Sequence, residues 1–170
     1  MIDENSTKEE VLVAVKRDGY WLQYASEDLK GDRDVVLEAV EQNGYALQYA
    51  SEELRGDRDV VLEAVREDGW ALCYASKRLR NDRDVVMAAV RQDGESLYWA
   101  SDELRADRDF VLEVVKKDGR ALMYASAELR NDREVVIAAA MNYAPSLQYV
   151  HESLRYDKEI IDYAIGLKNE

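Results

Sequence analysis

Asp57-Arg58-Asp59-Val60-Val61-Leu62-Glu63-Ala64-Val65-Arg66-Glu67-Asp68-Gly69-Trp70-Ala71-Leu72-Cys73-Tyr74-Ala75-Ser76-Lys77-Arg78-Leu79-Arg80-Asn81 is the stretch the rest of the chain copies. Gly19, Gly44, Gly69, Gly94 and Gly119 fall 25 residues apart, and Ser26, Ser51, Ser76, Ser101 and Ser126 keep the same step. So do Leu29, Leu54, Leu79, Leu104, Leu129 and Leu154. Self-similarity at such a fixed period marks a stacked repeat array, in which each copy buries its apolar face on the next. The copies are read as 7–31, 32–56, 57–81, 82–106, 107–131 and 132–156, with a terminal capping helix at 157–168. Residues 1–6 are read as a disordered or frayed start, and 7–168 as one domain.

Within a copy the spacing predicts two helices. In the second, Asp32 is a suitable N-cap for Arg33–Asn43, because its carboxylate can accept the free amides of the first turn. Asp34 adds negative charge where the helix dipole favours it. Val36, Leu37, Ala39 and Val40 make a wide apolar face, with Asp34, Glu38 and Glu41 turned outward. Gly44 is placed to end the helix in the left-handed conformation. A strand is the rival for Val35-Val36-Leu37, but alternation would leave both faces largely apolar. After Gly44, Leu47, Ala50 and Leu54 are spaced 3 and 4 apart, predicting a short second helix. Ser51 is placed to cap a further turn, either a continuation or a separate 3₁₀ piece. The expected fold is therefore all-α: a short α-solenoid of tandem two-helix repeats with capped ends. Seven first helices and six second ones are expected. At the ends, Thr7 with Glu10 reads as a capping box. Ala144-Pro145 replaces the turn glycine of the last copy, and Pro suits a first helical turn.

Composition bounds the function. The net charge is −13, which disfavours direct nucleic-acid binding, since phosphate contacts need clustered Lys and Arg. Cys73 is the only cysteine, which excludes an intrachain disulfide and fits a reducing compartment. The first residues hold no apolar run of a signal peptide, and no stretch approaches ~18 consecutive apolar residues. A soluble, cytoplasmic protein is expected, with no membrane association and no cofactor; a monomer is the simpler expectation.

Asp118-Gly119-Arg120-Ala121-Leu122-Met123-Tyr124-Ala125-Ser126-Ala127-Glu128-Leu129-Arg130-Asn131-Asp132-Arg133-Glu134-Val135-Val136 carries a pattern that returns in order along the chain. It resembles the repeat family known as domain of unknown function 4116, over roughly residues 8–160. The resemblance implies a helical repeat array. It carries over no established activity and no catalytic or ligand residue.

Residues present in every copy are first explained by stacking. Tyr24, Tyr49, Tyr74, Trp99, Tyr124 and Tyr149 read as a buried aromatic ladder with locally bonded hydroxyls. Asp32, Asp57, Asp82, Asp107, Asp132 and Asp157 read as helix caps, not as a calcium cage. Two basic rows, Arg33, Arg58, Arg83, Arg108, Arg133, Lys158 and Lys30, Arg55, Arg80, Arg105, Arg130, Arg155, read as parts of a self-neutralising ion-pair network. His151, the one histidine, takes the Ser position and reads as a cap. No metal site is expected.

Varying positions are the better functional lead. One row follows the turn glycine: Tyr20, Tyr45, Trp70, Glu95, Arg120. A second precedes the ladder aromatic: Gln23, Gln48, Cys73, Tyr98, Met123. The first is an aromatic stripe in the N-terminal half, and exposed aromatics are favoured anchors. The expectation is a non-catalytic module or scaffold for a protein or peptide partner. The alternative is an acidic decoy that mimics nucleic acid and occupies a basic protein. An enzyme is not expected, because no nucleophile elbow, phosphate loop or ligand cluster is present.

Overall fold

The computed structural model describes residues 2–166. The chain forms two compact units that divide between Gln92 and Asp93. All regular structure among the described residues is helical. Residues 2–6 make a turn in which the Ser6 N–H donates to the Asp3 carbonyl at 3.1 Å.

Each copy holds three short elements instead of two. The first, element A, is an α-helix: Lys8–Val15, Arg33–Gln42, Arg58–Glu67, Arg83–Gln92, Arg108–Lys117, Arg133–Asn142 and Lys158–Ala164. The last was expected to reach 168; residues 167 and 168 lie outside those described. Element B is a 3₁₀ helix and not an α-helix: Gly19–Tyr24, Gly44–Tyr49, Gly69–Tyr74, Gly94–Trp99, Gly119–Tyr124 and Ala144–Tyr149. Element C is the further turn, separate from B. It is α-helical at Glu27–Lys30, Asp102–Ala106 and Glu152–Arg155, and 3₁₀ at Leu54–Gly56, Leu79–Asn81 and Leu129–Asn131.

The caps explain why the chain breaks into these pieces. Asp57 accepts the amides of Asp59 (2.9 Å) and Val60 (3.1 Å), which starts element A. Asp68 then takes an extended backbone and accepts the Trp70 amide at 2.9 Å, which closes A and opens B. Asp18, Asn43, Asp93 and Asp118 do the same for their own B elements. Ser76 Oγ accepts the Leu79 amide at 3.4 Å and starts element C. Three caps in one 25-residue step leave no room for a long helix, so stability must come from packing.

In unit 1, the B element 44–49 lies between helices 33–42 and 58–67; in unit 2, 119–124 lies between 108–117 and 133–142. The core is what these placements bury. Val60, Val61, Ala64, Val65, Ala71 and Leu72 are fully buried, and the corresponding residues of the other inner copies follow suit.

Gly44 does not adopt the left-handed conformation expected of it; among the described residues positive φ occurs at Gly166 alone. Position 44 is glycine because a Cβ there would strike the Ala64 carbonyl oxygen of the next A helix. Gly19 and Gly119 meet Ala39 and Ala139 in the same way. Ala144 is exposed, so its Cβ is accommodated and the last B element keeps its 3₁₀ form. At the other end Trp21 stands where inner copies carry Ala46, Ala71 and Ala121. Those alanines are fully buried, whereas Trp21 is half-buried and packs on Tyr24 at 5.5 Å.

Main-chain bonds also join neighbouring copies. The amides of Ser51, Ser76, Ser126 and His151 donate to the carbonyls of Lys30, Arg55, Arg105 and Arg130 at 2.9–3.1 Å. The first basic row forms the expected ion-pair ladder. Arg58 reaches Asp82 (3.2 Å) and Asp84 (2.7 Å), and Arg108 reaches Asp132 (2.8 Å) and Glu134 (2.6 Å). Lys8, Arg33 and Arg133 repeat the pattern. These pairs are largely exposed, so each contributes at most about 1 kcal/mol.

Acid should therefore weaken the fold through its caps. Hydrogen bonds from Arg133 and the Ile160 amide hold Asp157 at about 2. Lys8 holds Asp32, and Arg108 holds Asp132, below the ordinary 3.8. A carboxylate with a depressed folded-state value stabilises fully above the unfolded-state value and loses that contribution as pH falls through the folded one. The melting temperature should be level above about pH 5 and fall between about pH 4 and pH 2. A melting temperature unchanged down to about pH 2 would show that these caps are not coupled to folding.

Candidate binding face

The row after the turn glycine and the ladder belong to one surface. In unit 1 the Tyr20 ring meets Tyr49 of the next copy edge to face at 6.2 Å. Tyr45 meets Tyr74 in the same way at 6.1 Å. The step of B elements along the unit thus alternates a stripe ring with a ladder ring. The ladder is not the buried one expected. Tyr24 is 50% exposed, Tyr20 is 37% exposed, and Tyr45, Tyr49, Trp70 and Tyr74 are half-buried. Ala46, Ala71 and the leucines of element B fill the interior, which leaves the larger rings at its rim.

In unit 2 the same row changes chemistry. Arg120 lies 2.6 Å from Asp118, 3.3 Å from Asp93 and 3.7 Å from Glu95. Glu95 in turn accepts the Tyr124 hydroxyl at 3.3 Å. Burial opposes the charge on Asp118, but hydrogen bonds from the Arg120 side chain and amide outweigh it and hold the carboxyl below its ordinary value. Glu95 and Arg120 are thus tied into a polar network where unit 1 has rings.

The second row flanks the ladder from the other side. Tyr98 is 48% exposed and packs on Trp99 (4.7 Å) and Tyr124 (5.5 Å). Met123 is exposed, Gln23 and Gln48 are half-buried, and the Gln48 amide donates to the Tyr45 carbonyl at 3.1 Å. Cys73 is half-buried, and burial pushes its thiol above the usual value.

The second basic row departs from the expected network. Three residues before each cation stands Glu27, Glu52, Lys77, Asp102, Ala127 or Glu152. Lys30 pairs with Glu27 at 2.8 Å, Arg55 approaches Glu52 at 3.9 Å, and Arg105 pairs with Asp102. Arg155 donates to the carbonyls of Gln148 (3.4 Å) and Val150 (3.2 Å). Arg80 and Arg130, which follow Lys77 and Ala127, have no carboxylate partner among the described residues, and the Nε of each is buried without a hydrogen bond. That difference was legible in the sequence as an acid missing three positions upstream. The caps at Asp18, Asn43, Asp68, Asp93 and Asp118 were legible too, as an Asx before every turn glycine.

His151 accepts the Ser153 amide at 3.3 Å and caps element C, as its position suggested. The Asp32 row likewise spends its oxygens on amides and basic side chains. Among the described residues no group of three or more His, Cys, Asp or Glu could hold a metal ion, and no helix is long and apolar enough to cross a membrane.

Short helices stacked copy on copy, with a rim of rings and cations, define an all-α repeat solenoid. The family model described as Domain of unknown function (DUF4116) matches residues 7–55, 57–105 and 107–155, each segment covering two of the copies. The chain belongs to that family. Comparison with curated proteins and with solved structures gives no match.

Proposed function

We propose that the protein is a non-catalytic repeat module that binds an extended peptide or a peptide-like segment of a protein. The observation that carries this reading is the aromatic rim of unit 1. Tyr20, Tyr24, Tyr45, Tyr49, Trp70 and Tyr74 keep part of each ring exposed while neighbouring rings hold one another in fixed orientation. Rigid, amphipathic rings bury large area at small entropic cost, which is why they dominate binding hot spots.

The test is selection of short random displayed peptides on the full chain, followed by affinity measurements on the selected sequences. Trp70→Ala and Tyr45→Ala should each weaken them by roughly tenfold or more. Met141→Ala, at an exposed position of element A, should leave affinity unchanged. Circular dichroism should show helix content retained in the variants. Selected peptides that are all strongly basic, indifferent to Trp70 and released steeply by salt would favour an acidic decoy instead.

A further inference from the structure

In unit 2 a cavity of about 320 Å³ lies beside the last B element, lined by Arg130, Gln148, Tyr149, His151, Glu152 and Arg155 among others. Ala127 also lines it. In the first two copies and at Asp102 the residue at that position is an acid that faces its own cation three residues on. Ala127 removes both the carboxylate and its bulk, which opens space beside Arg130 and leaves that guanidinium without an internal counter-charge.

The stem of Arg130 is packed in, since its Nε is buried, and among the described residues its terminal nitrogens have no hydrogen-bond or carboxylate partner. A guanidinium whose plane is fixed by packing and whose ends are open is preorganised for an oxyanion. Arg155 is anchored on the Gln148 and Val150 carbonyls and adds a second positive charge to the wall. Glu152 is the one carboxylate lining the cavity, so two cations face one anion. Tyr149, a ladder ring, makes this cavity part of the same kind of rim as the aromatic face of unit 1.

We propose that this cavity is a subsite for a single oxyanion group, a carboxylate or a phosphate, carried by an extended peptide; the inference rests on the peptide-binding reading above. Arg130 supplies the main contact through its terminal N–H groups, and Arg155 supplies long-range attraction. Two sources, an acidic side chain or a phosphorylated one, offer the same chemistry.

The experiment titrates the full chain with oligoglutamate, oligophosphoserine and oligoglutamine peptides of equal length. The readouts are fluorescence anisotropy and the NMR signal of the Arg130 Nε–H. At least one anionic peptide should bind roughly tenfold or more tightly than oligoglutamine and should shift that signal. The stronger of the two anionic peptides identifies the source. Arg130→Gln should remove the preference, and Lys117→Gln, at an exposed cation away from the cavity, should keep it.

Ala127→Glu is the sharper variant, because it restores the acid found at Glu52 and Glu27. It should neutralise Arg130 internally, abolish the preference and leave thermal stability unchanged or raised. Equal binding of all three peptides, or an unmoved Arg130 Nε–H signal at the highest concentrations, would overturn the proposal even if Arg130→Gln fails to fold. Selected peptides that depend on Trp70 while anionic ones ignore Arg130 would remove the subsite and leave the peptide-binding reading standing.

Discussion

Gly44→Ala should destabilise the protein by about 3 kcal/mol or more, the largest effect expected of adding one methyl group to this chain. The built Cβ would overlap the carbonyl oxygen of Ala64 and crowd the Asp68 Cβ and amide, each at 3.1 Å. Neither neighbour can yield cheaply. Ala64 is fully buried in the next A helix, and Asp68 is the cap that opens the next B element. A methyl at Gly44 must therefore push two copies apart. The control is Gly31→Ala. Gly31 has φ −95° and ψ −5°, which any residue adopts, and its Cβ would meet the Asp28 carbonyl oxygen at an ordinary 3.4 Å. That change should be neutral or stabilise by up to about 1 kcal/mol, by restricting the unfolded chain. Urea unfolding of the two variants beside the parent decides it. Similar midpoints for Gly44→Ala and Gly31→Ala would mean that element B does not approach the next helix as closely as described.

Phe110→Ala should cost about 3–5 kcal/mol. Phe110 is the only phenylalanine, it is 1% exposed, and it stands where other copies carry Val35, Val60, Val85 and Val135. Removing its fully buried ring leaves a cavity in the interior of unit 2, and the cost grows with the volume that stays unfilled. Because a repeat array is held by nearest-neighbour contacts, the loss should be local. Amide hydrogen exchange in unit 2 should accelerate most in 108–117 and 119–124 and less in 158–164. Uniform acceleration across those three segments would argue that unit 2 opens as one block. Native stabilities of about 5–15 kcal/mol make either substitution a large fraction of the total.

Sequence and structure agree where the controlling chemistry is local. Element A was legible at its start and along its apolar face, since Asp57 caps within its own first turn and the apolar residues keep helical spacing; its stop comes from the extended Asn43 and not from a left-handed Gly44. Element B was legible as a helix but not as a 3₁₀ one. Over six residues, Leu47 and Ala50 fit a period of three as well as 3.6, and what decides is the extended Asn43 that restarts the chain. The glycine was legible as required and misread as to cause, because its neighbour Ala64 lies 20 residues on. The aromatic rows were visible as rows. That the stripe of one copy touches the ladder of the next depends on the offset between copies, which no single copy encodes. Arg130 is legible in the sequence as the member of the basic row with Ala127, and no acid, three residues before it.

The main-chain bonds from Ser76 to Arg55 and from His151 to Arg130 have an evolutionary meaning. These bonds use amide and carbonyl groups that every amino acid except proline possesses, and the exchange of Ser for His leaves them intact. Duplication or deletion of a whole copy therefore keeps these main-chain bonds at the new junction. The reach of such a molecule can lengthen or shorten in quanta of one copy, while the rim residues of each copy diversify independently of the joints that carry them.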